Sequence, residues 1–201
     1  MSDLITSDLI TRYISTVQRL LGEIELEGVE RLTEALLEAW RDGKKVLLFG
    51  NGGSHSTVSH MACDFQKNVH LDTGKPLRTL CLGDPVPLVM AWANDTQWSN
   101  IFAPQVETWA EPGDVVIGVS GSGNSENVLN GIKAAQTKGA TTFGLCGFGG
   151  GKLAEAAEFA LVTHSHSMQH VEDIHSITLH IAFVAVLERA KLESFAKNLV
   201  E

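Results

Sequence analysis

His60 and Asp64 stand four residues apart, so on a helix they share one face. Farther along, Glu172 and His180 mark the ends of a short stretch with His175 between them. A carboxylate beside a neutral imidazole forms a proton-transfer pair, and the same atoms at short range bind Zn²⁺ or a similar divalent ion. Plainer readings fit the same spacing: a solvated i,i+4 pair for His60 and Asp64, an acid in a first helical turn for Glu172, and a core histidine for His180 between Leu179 and Ile181. Helix geometry adds a constraint, because positions eight apart differ by about 80° in rotation and about 12 Å in height. Glu172 and His180 can meet one small ligand only if the helix start is irregular or the two come from different subunits. His164, His166 and His170 read as a solvated loop ahead of the last helix.

Two glycine-serine segments offer a different chemistry. Gly50-Asn51-Gly52-Gly53-Ser54 and Ser120-Gly121-Ser122-Gly123-Asn124-Ser125 each follow an apolar run and precede a helical pattern. In such loops backbone N–H groups approach an anion closely, the helix N-terminus adds positive potential, and Ser hydroxyls donate without the cost of burying a Lys. A single phosphate is the natural guest. Neither loop is a nucleotide signature, since no Gly-Lys-Ser/Thr follows and Gly121-Ser122-Gly123 lacks the third glycine of a dinucleotide fingerprint.

The elements that must position these residues follow from periodicity. Val46–Phe49, Thr79–Leu82, Val115–Val119, Thr142–Cys146 and Phe159–Val162 are nearly continuous apolar runs, as in strands buried on both faces of a parallel sheet. Helical patterns over Ser54–Lys67, Pro87–Trp92, Trp98–Trp109 and Ser125–Lys138 separate them, and a long one over Val171–Phe195 closes the chain. Alternating strands and helices predict a three-layer α/β domain with five parallel strands. Ahead of it, apolar residues from Leu4 to Trp40 recur at three and four and break near Gly22, which predicts two amphipathic helices. The expected organisation is one domain over 1–201, with helices in 1–42 used in self-association and an α/β core over 43–201.

Composition bounds the partners. In 201 residues, 44% hydrophobic and 19% charged, there is room for one substantial core. A formal charge of −9 gives no general attraction to nucleic acid or an anionic membrane, though it leaves room for one small anion. Cys63, Cys81 and Cys146 cannot all pair within one chain and lie in apolar segments, which suits a reducing compartment. No apolar run of membrane-spanning length and no signal-peptide pattern over Met1–Leu9 are apparent, so the expected location is cytoplasmic.

Taken together, Asn51-Gly52-Gly53-Ser54, His60, Asn94-Asp95, Ser120-x-Ser122-Gly123-Asn124-Ser125 and a last helix with His175 and His180 resemble the sugar-isomerase (SIS) domain. Within it they are most similar to the phosphoheptose isomerase family, over about Ile5 to Ala190. The resemblance implies a flavodoxin-like sheet, a homotetramer with active sites between subunits, and Zn²⁺ or another divalent metal. It further implies aldose–ketose isomerisation of sedoheptulose 7-phosphate to D-glycero-D-manno-heptose 7-phosphate through an enediol. Carried over residue by residue, it places Asn51, Gly52, Gly53 and Ser54 on the substrate, Ser120, Gly121, Ser122 and Ser125 around its phosphate, and Asn94 and Asp95 near the sugar hydroxyls. It puts His60, Asp64, Glu172 and His180 on the metal and gives catalysis to Asp64, Glu172 and His180, with the base open between the two acids. Three positions depart from the family: Asp64 replaces the usual Glu, Glu172 the usual Gln, and Asn68 stands where an Arg is expected. The alternatives are an SIS isomerase of another phosphosugar and a non-catalytic SIS protein that binds the replication initiator, which lacks the acid–histidine set.

Overall fold

The five apolar runs form one sheet: β1 Lys45–Gly50, β2 Arg78–Cys81, β3 Val115–Ser120, β4 Thr141–Cys146 and β5 Phe159–Val162. The computed structural model describes residues 2–198, with side chains over 6–197, so Leu4 and Ile5 lie outside the described side chains. All four pairings are parallel, in the order β2-β1-β3-β4-β5. Side chains alternate across the sheet: Val46 and Leu48 face one core layer, Leu47 and Phe49 the other. Helices α2 Leu26–Asp42, α3 Gly52–Thr73 and α8 Met168–Asn198 cover the first face. Helices α5 Ala103–Trp109, α6 Glu126–Thr137 and α7 Gly151–Ala156 cover the second. Helix α1 Ser2–Leu21 precedes this arrangement, and α4 Val86–Asp95 follows β2. The chain leaves β1 toward β2 and later enters β3 on the opposite side, so a crevice opens at the carboxyl ends of β1 and β3. That is where the two glycine-serine loops lie.

Several expectations are corrected. The segment 98–109 is not one helix: a 3₁₀ turn over Trp98–Asn100 is followed by α5, which starts afresh with Pro104 in its first turn because Pro lacks the N–H a helix interior needs. Helix α7 was not anticipated in its glycine-rich surroundings. Helix α8 begins at Met168, so His170 is helical rather than in a loop, and its ring packs 4.3 Å from Tyr13. Cys63 is exposed despite its apolar neighbours, while Cys81 and Cys146 are buried and all three thiols are free. Helix α8 is also long and apolar enough, by length and composition, to cross a membrane, a run the sequence reading overlooked; 44% of its most apolar window is buried within the protein, as in a core helix.

The two N-terminal helices divide. Val29, Leu32, Leu36, Leu37 and Trp40 of α2 belong to the core of this chain, so α2 needs no second subunit to bury its apolar face. Helix α1 instead leaves Leu9, Ile10 and Ile14 each more than half exposed. Tyr13 ties it to α8, donating to Asp173 Oδ2 at 2.6 Å, and this bond to a carboxylate pushes the phenol up to about 12.

Candidate active site

The cleft between the loops is built largely from backbone and short polar side chains. Asn51, Gly52, Gly53 and Ser54 line one wall, Ser120, Gly121, Ser122 and Ser125 the other, and Glu172 with Met168 closes the side toward α8. Its volume of about 270 Å³ is at the small end for an organic ligand. Ser120 donates to Ser125 Oγ at 3.0 Å, and Ser122 Oγ accepts the Asn124 N–H at 3.2 Å. These hydroxyls stand at the N-terminus of α6, where unpaired N–H groups and the helix dipole favour an anion.

What locks the two walls together was not legible beforehand. Asn51 and Asn127 exchange side-chain amide hydrogen bonds at 2.9 and 2.8 Å, and Asn127 Oδ1 also accepts the Val128 N–H. Asn127 is almost wholly buried, so it fixes the spacing of the loops rather than contacting a ligand. The only sequence signal was its place, two residues past Ser125.

Helices α3 and α8 run side by side in the same direction: Gly53 meets Glu172, His60 meets His180, Phe65 meets Phe183 and Asp72 meets Lys191. Gly53 permits the first of these contacts, because a Cβ there would overlap the Glu172 carboxylate. The second builds a cluster. His60 Nε2 lies 3.2 Å from His180 Nε2 and 3.3 Å from Asp64 Oδ2, with His180 Nε2 to the same oxygen at 3.9 Å. Two facing imidazole nitrogens are satisfied either by one proton between them or by a shared cation. Tetrahedral bonds of about 2.1 Å place ligand atoms roughly 3.4 Å apart, so these three donors fit a zinc-class ion. Asn68, at the position of the missing Arg, donates to Asp64 Oδ1 at 3.3 Å and steadies the carboxylate.

Glu172 is not part of that cluster. Helix α8 is unbroken from Met168, so Glu172 and His180 of one chain are separated by about 12 Å along it, and within one chain His60, Asp64 and His180 converge without Glu172. Asn94 and Asp95 end α4 exposed and bonded to each other at 2.8 Å, and are not among the residues that line the cleft of the single chain. His180 is not the core histidine of this helix, since its side chain is 41% exposed. That role falls to His175, whose buried ring nitrogens meet no well-aligned hydrogen-bond partner among the described residues. Burial lowers its pKa to about 4, the nearby Cys146 backbone only partly opposing the shift.

With fold and site defined, comparison places them. A sequence model of the SIS domain matches residues 12–147. Phosphoheptose isomerase of Aquifex aeolicus is 35% identical over 84% of this chain and 91% of its own, and that of Clostridium acetobutylicum is 37% identical over 78% of this chain and 79% of its own. The structure of phosphoheptose isomerase from Neisseria gonorrhoeae superposes with a TM-score of 0.82 at 26% identity, covering 90% of this chain and 98% of the other. The chain belongs to the SIS-domain phosphoheptose isomerase family.

Proposed function

We propose that the chain is a phosphosugar isomerase that interconverts sedoheptulose 7-phosphate and D-glycero-D-manno-heptose 7-phosphate. The observation that carries this reading is the pairing, on the same two helices, of a hydroxyl-lined anion cleft with a His60–Asp64–His180 acid–base cluster. The phosphate sits on Ser120, Ser122 and Ser125 at the α6 N-terminus, so that remote binding energy orients the sugar. Asn51 and Glu172 face the sugar hydroxyls in the cleft. Isomerisation moves a proton between C1 and C2 through an enediol. The Asp64 carboxylate takes that proton, and His180, 3.9 Å from it through Nε2, holds or returns a proton at the oxygen end. In an alternative use of the same atoms, His60, Asp64 and His180 would hold a zinc-class divalent ion, which would supply polarisation of the substrate carbonyl in place of the His180 proton.

Completion of the site falls to a second copy. Cleft and cluster lie about 12 Å apart along α8, while the apolar side chains of α1 and Ile181 and Val184 on the outer face of α8 are exposed. Association through these faces into a homotetramer brings the cleft of one subunit to the cluster of another. The free, reduced thiols fit a cytoplasmic enzyme. The test is to incubate purified protein with sedoheptulose 7-phosphate and a panel of other ketose phosphates, with and without chelator, and follow products by NMR. Formation of the aldoheptose 7-phosphate is expected. Turnover of a different ketose alone reassigns the substrate, and turnover of none overturns the isomerase reading.

A further inference from the structure

We propose that His55, Cys81 and Asp84 form a second site for a zinc-class divalent ion, distinct from the His60–Asp64–His180 cluster and independent of the isomerase reading. The three residues come from separate elements: His55 from the first turn of α3, Cys81 from the end of the edge strand β2, and Asp84 from the turn into α4. His55 Nδ1 lies 3.5 Å from Cys81 Sγ, while Asp84 Oδ1 lies 3.5 Å from the other ring nitrogen, Nε2, so an ion held by one His55 nitrogen needs only a small movement of the exposed acid. One ligand atom from each of the three falls within 4.8 Å of the others. Tetrahedral bonds of about 2.3 Å to sulfur and 2.1 Å to nitrogen put those atoms roughly 3.6 Å apart, close to the observed sulfur–nitrogen separation.

The surroundings are shaped for such a ligand set. The Asp84 N–H donates to the Cys81 carbonyl at 3.3 Å, which closes the turn and holds the acid beside the end of β2. Gly83 has no Cβ, and one there would overlap the His55 ring, so the imidazole lies directly on this turn. Cys81 is buried as the inner ligand, while Asp84 is half exposed and leaves an approach from solvent. The same burial pushes the thiol up to about 12, so without an ion Cys81 stands as a neutral thiol. When an ion binds, the thiol proton passes to solvent, the thiolate, imidazole and carboxylate coordinate, and water takes the fourth position. The ion would clamp the turn after β2 onto the first turn of α3, beside Ser54 of the cleft.

The probe is Co²⁺ added to full-length protein, with Zn²⁺ as competitor. Among the described residues the His60 cluster offers no sulfur. A thiolate-to-cobalt band in the near ultraviolet therefore reports a cysteine site once the exposed Cys63 is replaced by Ser, and its loss on Cys81→Ser separates Cys81 from the buried Cys146. The expected result is a band in Cys63→Ser that Zn²⁺ removes and that persists when His60→Ala is added. It should be lost in Cys63→Ser/Cys81→Ser, and His55→Ala should weaken Co²⁺ binding by about tenfold or more. No band in Cys63→Ser overturns the proposal. So does a band that survives Cys81→Ser, or one whose affinity is unchanged by His55→Ala. His55 is partly exposed, so its variant keeps the test decisive if Cys81→Ser fails to fold.

Discussion

The cleft and the cluster hang from the same pair of helices and are built by opposite means. The cleft takes its chemistry from glycine backbone, serine hydroxyls and an asparagine bridge at the ends of β1 and β3, where backbone N–H groups are free. The cluster takes its chemistry from side chains projecting off regular α3 and α8, where the backbone is already bonded and only His60, Asp64 and His180 can act. A phosphate needs neutral donors that tolerate burial, whereas proton transfer needs titratable groups at close range. Each device therefore occupies the part of the fold that can supply it, and α8 spans both, with His175 buried between them.

If that division of labour holds, the largest effect comes from the cluster. Asp64→Asn and His180→Ala should each lower kcat about 10³-fold with KM little changed and the oligomer intact, as read by steady-state kinetics and light scattering. Glu172→Gln in the cleft should cost kcat far less; an equal collapse there would make Glu172 the base and break the comparison.

The buried histidine between the two regions gives the next effect. His175 has a folded pKa of about 4 against an ordinary 6.5, so between these values the unfolded chain binds the extra proton. Its contribution to stability is full above pH 6.5 and lost as pH falls toward 4, on the order of 3 kcal/mol. Urea unfolding of wild type and His175→Leu between pH 7 and 4 checks this: the variant should show a flatter dependence, and identical slopes would remove His175 from the account.

The smallest effect belongs to the anion wall. Ser122→Ala/Ser125→Ala should raise KM about tenfold with kcat within a few-fold, since two hydrogen bonds to a charged group are lost far from the reacting carbons. A fall in kcat with KM unmoved would mean that these hydroxyls take part in the proton-transfer step.

How much of this was legible in the sequence varies with the kind of information each residue carries. Strand positions were readable because runs such as Val46-Leu47-Leu48-Phe49 are apolar on both faces, which only a covered parallel strand explains. The loops were readable because Gly and Ser at a strand end have few other uses. His60 and Asp64 were readable as a pair because helical spacing is local, while the approach of His180 depends on how α8 lies along α3. Asn127 was missed, and Asn68 was noted only as a departure and not for its bond to Asp64: an amide in a helix has no distinctive pattern, and their roles arise from partners 76 residues away and one turn away, respectively. The break before α5 could have been read from Pro104, whose missing N–H is a local fact.

The sequence by itself determined the five strands, the two glycine-serine loops at their ends, the His60–Asp64 face and a net charge of −9, because all of these depend on near-neighbour spacing or on composition. Only the tertiary structure decided that Glu172 lines the cleft of its own chain, that α2 is core while α1 is exposed, and that His55, Cys81 and Asp84 converge. Those outcomes rest on which helix packs against which and in what register. The register is set by the summed burial of many side chains, which no local pattern contains.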